Sequence, residues 1–308
     1  MVSPVSPSPP TPEPQNRLRV PKRPARPAIV QVYRPASEMR RPLQLFRRMG
    51  ADLLASRELA WQLMKRDISA QYRESFLGVA WAIIPPIIAS AGFAFAASAE
   101  VINVGETDIP YPAYVLLSTA LWQTFSEAVM LPMQKVTLAR MMLSKIQFPR
   151  EALILAATGQ VLFNFAFKLL LVAGMFAWFR LPVPLSLVLA PVALLHLVLL
   201  GTVMGMFLAP MSALYQDFQK GMQLLLGTWL FLTPVVYPPP QSDGLFGFLV
   251  QVNPVTPLLV TTRELMTVGT ISDPQGFWLM SAIVFMTLPV AWLVYRLAMP
   301  YAIERFSS

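Results

Sequence analysis

The chain has 308 residues, of which 55% are hydrophobic and only 13% charged, with a mean hydropathy of +0.54. Soluble domains carry roughly 25% charged residues, so an ordinary soluble fold is excluded, and the apolar segments leave no room for a nucleotide-hydrolysing domain. The net charge of +8 does not indicate nucleic acid, because 14 of the 24 Lys and Arg precede Ser75 and flank the first apolar segment, which is a membrane-topology signal. There is no cysteine, so disulfides, thiolate metal sites and thiol redox chemistry are excluded.

Residues 1–42 contain 11 of the 30 prolines together with Arg17, Arg19, Lys22, Arg23 and Arg26. Such a composition cannot bury a core and reads as a disordered basic cytoplasmic tail, without the apolar core of a signal peptide. Residues 43–74 form an interface-helix region. Within it Leu59, Leu63, Ile68 and Tyr72 recur at near-helical spacing among Arg57, Lys65, Arg66 and Arg73, which predicts an amphipathic helix over Ser56–Arg73 in the headgroup plane.

An all-α, polytopic membrane domain is expected over residues 75–300, since an apolar run of roughly 20 residues crosses a bilayer as a helix. Six spans are predicted: Ser75–Ala99, Pro112–Gln134, Ala152–Phe179, Val183–Leu214, Met222–Tyr237 and Gln275–Tyr295, with an interfacial start to the fourth before Pro191. With the N-terminus inside, 21 of the 24 basic residues fall on the inner side, including Lys135, Arg140, Lys145 and Arg150 between the second and third spans. The outer side keeps Arg180, Arg263 and the acidic Glu100, Glu106 and Asp108. Both termini, including the short 301–308 segment, are therefore expected in the cytoplasm.

Residues 238–268 are too apolar for a solvent loop, yet their two stretches, Gly244–Val252 and Pro254–Val268, are too short to span. Asn253 and Pro254 offer an N-cap and a first-turn proline, so a pair of short re-entrant helices on or in the outer leaflet is expected.

Polar residues within spans suggest an ion path by default. Counting about 1.5 Å per residue, Glu127 lies roughly 10 Å and Lys168 roughly 24 Å from the inner ends of their spans. That gap argues against a direct ion pair and leaves Lys168 to snorkel outward. His196 stands alone in an apolar run and is expected to pack between helices or bond to backbone. Gly201 and Gly205 lack the Gly-Lys-Ser/Thr ending of a phosphate loop. Trp81, Phe93, Phe95, Trp122, Phe125, Trp229, Phe231 and Tyr237 cluster in the first, second and fifth spans. As a group they could stack on sugar rings; individually each is equally well a packing or interfacial residue.

The short motifs Leu77-Gly78-Val79-Ala80-Trp81 with Pro85-Pro86, Phe148-Pro149-Arg150-Glu151, Tyr215-Gln216-Asp217, Thr233-Pro234-Val235-Val236-Tyr237-Pro238, and Asn253-Pro254 with Arg263-Glu264 occur in an order that resembles the membrane subunit of type-2 ABC exporters for polysaccharides. The resemblance covers residues from about 60 to 300. It implies a multi-pass permease of the cytoplasmic (inner) membrane that forms a homodimer and binds two copies of a separate ATPase. The cargo implied is a polyprenol-linked glycan such as O antigen, capsule or teichoic acid. Such a chain is not itself an enzyme and binds no metal or cofactor; ATP and Mg would be handled by the partner. By the same resemblance, 135–148 is a coupling helix presenting Lys135, Arg140, Lys145 and Phe148 to the ATPase, and 238–268 forms outer gate helices with Asn253, Pro254, Arg263 and Glu264. Arg66, Arg73 and Arg150 are candidates to meet the lipid diphosphate, and the first and fifth spans would line the channel at the dimer interface. Gln216 stands where the family often has Arg, and the long N-terminal tail exceeds the family pattern. Two other readings remain open: the same architecture exporting a drug or small lipid, and a membrane enzyme acting on polyprenol phosphates. The latter needs clustered acidic or His residues, and the Glu100, Glu106 and Asp108 group contains no His.

Overall fold

The computed structural model describes residues 42–73, 80, 81, 83–101, 105–145, 148–215, 217–240 and 244–307. By its internal contacts the chain divides into Met1–Arg40 and Arg41–Ser308, and everything described lies in the second unit. The predicted tail, apart from Pro42, the Leu77–Val79 portion of the first-span motif and Gln216 lie outside the described residues.

Among the described residues every regular element is helical. The helices are α1 (Pro42–Arg73), α2 (Ile84–Ser98), α3 (Tyr111–Leu138), α4 (Arg140–Lys145), α5 (Glu151–Phe179), α6 (Ala190–Leu214), α7 (Asp217–Trp229), α8 (Leu245–Val252), α9 (Val255–Thr267) and α10 (Pro274–Ser307). Single 3-10 turns at Leu185–Val188 and Leu230–Leu232 precede α6 and follow α7. Of these, α5, α6 and residues Pro274–Arg305 of α10 are long and apolar enough to cross a bilayer, while α8 and α9 form a pair bent by 78°.

Helix boundaries follow the local sequence. Prolines sit in the first turns of α2, α3 and α6, where a missing N–H breaks no intrahelical bond. Glu151 complements the positive end of α5, which stops at Arg180 in the left-handed region (φ 52°) as Leu181 N–H bonds back to Phe176 O at 3.0 Å. Gly269, at φ 88°, ends α9 by returning its N–H to Glu264 O at 2.8 Å.

Helices α3 and α6 share the largest interface; α10 packs on α6, α2 and α5 on α3, α1 on α5, and α9 on α6. Gly201 and Gly205, one turn apart on α6, explain the close central crossing. A Cβ at Gly201 would lie 2.6 Å from Ala128 Cβ and 2.8 Å from Phe125 O, and one at Gly205 would lie 2.7 Å from Val129 O. Small residues at this spacing let two helix backbones touch, which drives packing where lipid offers no hydrophobic contrast.

Several boundaries differ from those expected. α1 begins at Pro42, not Ser56, and is 32 residues long. α3 continues to Leu138, so Lys135 belongs to it, and among the described residues of 135–148 a separate helix, α4, covers six residues. The fifth predicted span is shifted: α7 starts at Asp217, and the chain leaves helix after Leu232, where Pro234 and Pro238–Pro240 remove four backbone donors within seven residues. α10 runs through Pro289 and Pro300 to Ser307, so most of the expected 301–308 tail is helical.

Replacing Gly205 by Ala should force the α3–α6 crossing apart, because its nearest obstacles are the backbone oxygen of Val129 and the Pro132 ring. Overpacking of this kind costs about 1–3 kcal/mol. Gly174→Ala, with nothing within 4 Å of its added methyl, should instead raise stability. Thermal denaturation of the detergent-solubilised chain, followed by size-exclusion fluorescence, separates the two.

Candidate functional site

The most constrained region surrounds the non-helical stretch that follows α7. Its backbone carbonyls lack helical partners, and the described side chains supply them. Tyr111 donates its hydroxyl to Val236 O at 2.9 Å, and Tyr114 donates to Tyr237 O at 2.8 Å. Arg263 Nη1 donates to Pro234 O at 2.9 Å and to Ser118 Oγ at 3.0 Å, while its guanidinium lies 4.1 Å from the Tyr114 ring centroid. Tyr111 and Tyr114 are one turn apart at the start of α3 and so reach the same stretch.

Asn253 performs the same task from the α8–α9 corner. Its Nδ2 donates to Thr233 Oγ1 at 2.8 Å and to Leu232 O at 3.3 Å; its Oδ1 accepts from Trp229 Nε1 and from Val255 N–H, both at 3.1 Å. The bond to Val255 is the expected cap on α9, which starts immediately after Pro254. Glu264 accepts from the N–H and hydroxyl of Ser272 at 2.9 and 2.6 Å, tying α9 to the turn before α10. The residues expected at an outer gate thus sit as internal braces. Of the bent pair, α9 is buried from Val255 to Thr267 at nearly every position, and its Arg263 and Glu264 find their partners inside the chain.

A correction concerns the interior charges. Lys168 Nζ lies 2.7 Å from Glu127 Oε1 and 3.3 Å from Thr124 Oγ1, with Asn164 Nδ2 donating to Glu127 Oε2 at 2.8 Å. The lysine is fully buried and does not snorkel. The four extra residues at the end of α3 cut the expected depth gap from roughly 14 to roughly 8 Å. Side chains lean toward the N-terminus of their own helix, so on these antiparallel helices the two lean toward each other and close the rest.

At the end of the bundle where α5 begins, ion pairs join α1 to its neighbours. Lys135 Nζ meets Asp67 at 2.5 Å; Arg296 meets Asp52 at 2.7 Å and Glu151 at 3.4 Å; Gln160 donates to Gln71 at 2.7 Å. Lys135, expected to face an ATPase, is 5% exposed and already paired; its partner is 68 residues away, beyond any local pattern. Arg140 is half-buried at the start of α4, Lys145 closes that helix, and Phe148 packs against the core. Of the diphosphate candidates, Arg66 is exposed and bonded to Asp67, Arg73 is exposed at the end of α1, and Arg150 is half-buried with its carbonyl accepting from Tyr295.

The aromatic set divides by burial. Trp122 and Phe125 are enclosed, their ring centroids 5.3 Å apart and 6.3 and 6.0 Å from Trp229, so these two present no face to a passing molecule. Phe93 is half-buried, and Tyr237 donates its hydroxyl to Phe231 O. Trp81, Phe95 and Phe231 are exposed. Phe231 closes an open groove of about 600 Å³ along the unpacked face of α7, lined also by Lys220, Gln223, Leu224, Gly227 and Thr228. His196 donates from Nδ1 to Val192 O at 2.7 Å and packs on Phe277, as an isolated interior histidine should. Among the described residues no three His, Asp or Glu side chains converge as metal ligands.

Sequence comparison decides the family. Residues 58–267 match the ABC-2 type transporter, from the middle of α1 to the end of α9. The chain belongs to the ABC-2 type transporter family. It is 26% identical over 254 residues to the O-antigen export system permease protein RfbA of Myxococcus xanthus, covering 81% of this chain and 95% of that one. Two permeases of the same name from Klebsiella pneumoniae are 19% and 18% identical over 68% of this chain and 80% of theirs. Family and apolar helices together make this ABC-2 chain a multi-pass membrane protein.

In this ABC-2 chain, Lys168→Met should leave Glu127 charged without its partner and destabilise by about 3–5 kcal/mol, whereas the Glu127→Gln/Lys168→Met double variant should recover most of the loss. Melting temperatures of the four proteins of this cycle provide the check. Asn253→Ala, which strips partners from Leu232, Thr233 and Trp229 at once, should lower the yield of monodisperse protein more than Phe231→Ala.

Proposed function

We propose that the chain is the permease subunit of an ATP-driven exporter that moves a lipid-linked polysaccharide across the cytoplasmic membrane. The observation that carries this reading is the similarity to an O-antigen export permease over 95% of that protein's length. The α7 groove supports it. A face with Lys220, Gln223 and Thr228 beside Phe231 is unsuited to hydrocarbon, where unsatisfied polar groups are expensive, and suited to a hydroxyl-rich chain that also offers apolar ring faces.

In this reading two copies of the chain face each other across their α7 grooves, with Trp81 and Phe95 at the same path. The chain crosses the membrane six times with both termini in the cytoplasm, as the distribution of basic residues favours. A separate ATPase, in two copies, hydrolyses ATP with Mg, and α4 with Phe148 receives its movement. The rest of the inner end then follows as a rigid unit through Asp67–Lys135 and Asp52–Arg296–Glu151. Weak contacts along the groove suit a cargo that must slide.

Reconstitution of the chain with its ATPase in proteoliposomes tests the assignment: a polyprenol diphosphate-linked glycan should stimulate ATP hydrolysis and become protected in the lumen. Stimulation by hydrophobic drugs instead would assign it to efflux. Within that assay Trp81→Ala/Phe231→Ala should slow glycan transport several-fold at normal assembly with the ATPase. Phe125→Ala, which opens a cavity in the core, should act through stability, at about 3 kcal/mol or more.

A further inference from the structure

α1 carries two unlike faces. Met49, Ser56, Ala60 and Leu63 are buried, and on the same side Asp52 and Asp67 are neutralised by Arg296 and Lys135 from other helices. The opposite side exposes Arg47, Leu54, Arg57, Trp61 and Lys65. Their spacings of seven, three, four and four residues place them on one stripe of an α-helix. Lys65 Nζ lies 5.2 Å from the Trp61 ring centroid. With two of the helix's three acids turned inward and paired, and the third, Glu58, exposed on this side and accepting from Gln62, the stripe keeps a net positive charge and is partly apolar.

The depth of this stripe follows from its ties. Arg296 joins Asp52 to Glu151, the first residue of α5, and Gln71 bonds to Gln160. The stretch from Asp52 to Gln71, about 28 Å of helix, therefore crosses α5 obliquely within its first ten residues, about 13 Å of its length. α5 itself, at 29 residues, measures about 43 Å, the thickness of a bilayer with both headgroup layers. The α1 stripe thus lies level with the headgroups and the adjoining acyl carbons. Basic side chains interleaved with Leu and Trp match the chemistry of that layer.

We propose that the outward face of α1 is a binding surface for anionic phospholipid headgroups of the leaflet at the start of α5. Arg57 and Lys65 hold phosphates, and Leu54 and Trp61 enter the glycerol and upper acyl region. The surface is distinct from the α7 groove and acts on the membrane's own lipid, independent of what the exporter carries. Because Asp67 joins α1 to α3 through Lys135, lipid held there also fixes the inner end of the central helix.

The absence of cysteine permits single-site labels on the full-length chain. Spin labels at Leu54→Cys and Trp61→Cys, in nanodiscs of phosphatidylcholine or of an equal mixture with phosphatidylglycerol, should be accessible to oxygen and shielded from a water-soluble nickel chelate. A label at the exposed Asp217→Cys should show the reverse. Spin-labelled phosphatidylglycerol should be enriched over phosphatidylcholine in the protein's boundary layer. An Arg57→Gln/Lys65→Gln variant of unchanged melting temperature should lose that enrichment by about fivefold per charge removed. Labels at 54 and 61 that meet the chelate as freely as at 217, shielding that arises only on adding an ATPase subunit, or enrichment unchanged in the double variant would each overturn the proposal.

Discussion

A backbone carbonyl that leaves a helix inside the packed interior of a chain finds no water, so some side chain must be placed to bond it. The stretch after α7 meets this condition through Tyr111, Tyr114, Asn253 and Arg263, which between them serve Leu232, Pro234, Val236 and Tyr237. The rest of the fold depends on that arrangement. It dictates that α9 be buried, since Arg263 must reach Pro234 and Ser118, and that α3 begin with two tyrosines one turn apart. The helix pair α8–α9 returns into the chain because its corner, at Asn253, belongs to the same bonded cluster.

The buried charges follow a related rule. Lys168 has Glu127, and Lys135 has Asp67; both pairs join α3 to another helix. Such pairs contribute little net stability compared with apolar replacements, but a member left alone is strongly destabilising. Their effect is to fix the register of α1, α3 and α5. An ion path through Glu127 would need a carboxylate free to change partners, and this one is bonded by Lys168 and Asn164.

How much of this was legible in the sequence depended on distance along the chain. The break at Asn253–Pro254, the capping of α9, the proline starts and the isolated state of His196 follow from neighbours within a few residues, and the structure has them. The Glu127–Lys168 pair was missed because a four-residue error at the end of α3 and the opposed lean of two long side chains both entered the depth estimate with the same sign. The aromatic set was legible as a group but not by member: which side of α3 carries Trp122 and Phe125 is decided by Trp229, about a hundred positions later. Lys135 looked like a docking cation for the same reason. Gly201 and Gly205 carried a readable signal, two glycines one turn apart in an apolar run, that was weighed only as a phosphate loop.

The α3–α6 crossing has a mechanical meaning beyond its contribution to stability. Where Gly201 and Gly205 bring one backbone against the carbonyls of Phe125 and Val129, no flexible side chain lies between the two helices to absorb displacement. They form a single stiff plate, with α10 fastened to one side. α7 is different: it fully buries only Met222 and Leu226, is held at its ends by Gln219 and Trp229, and leaves most of the length between them exposed. Against that stiff plate α7 is a lightly seated rod, and the rod is the helix that carries the groove.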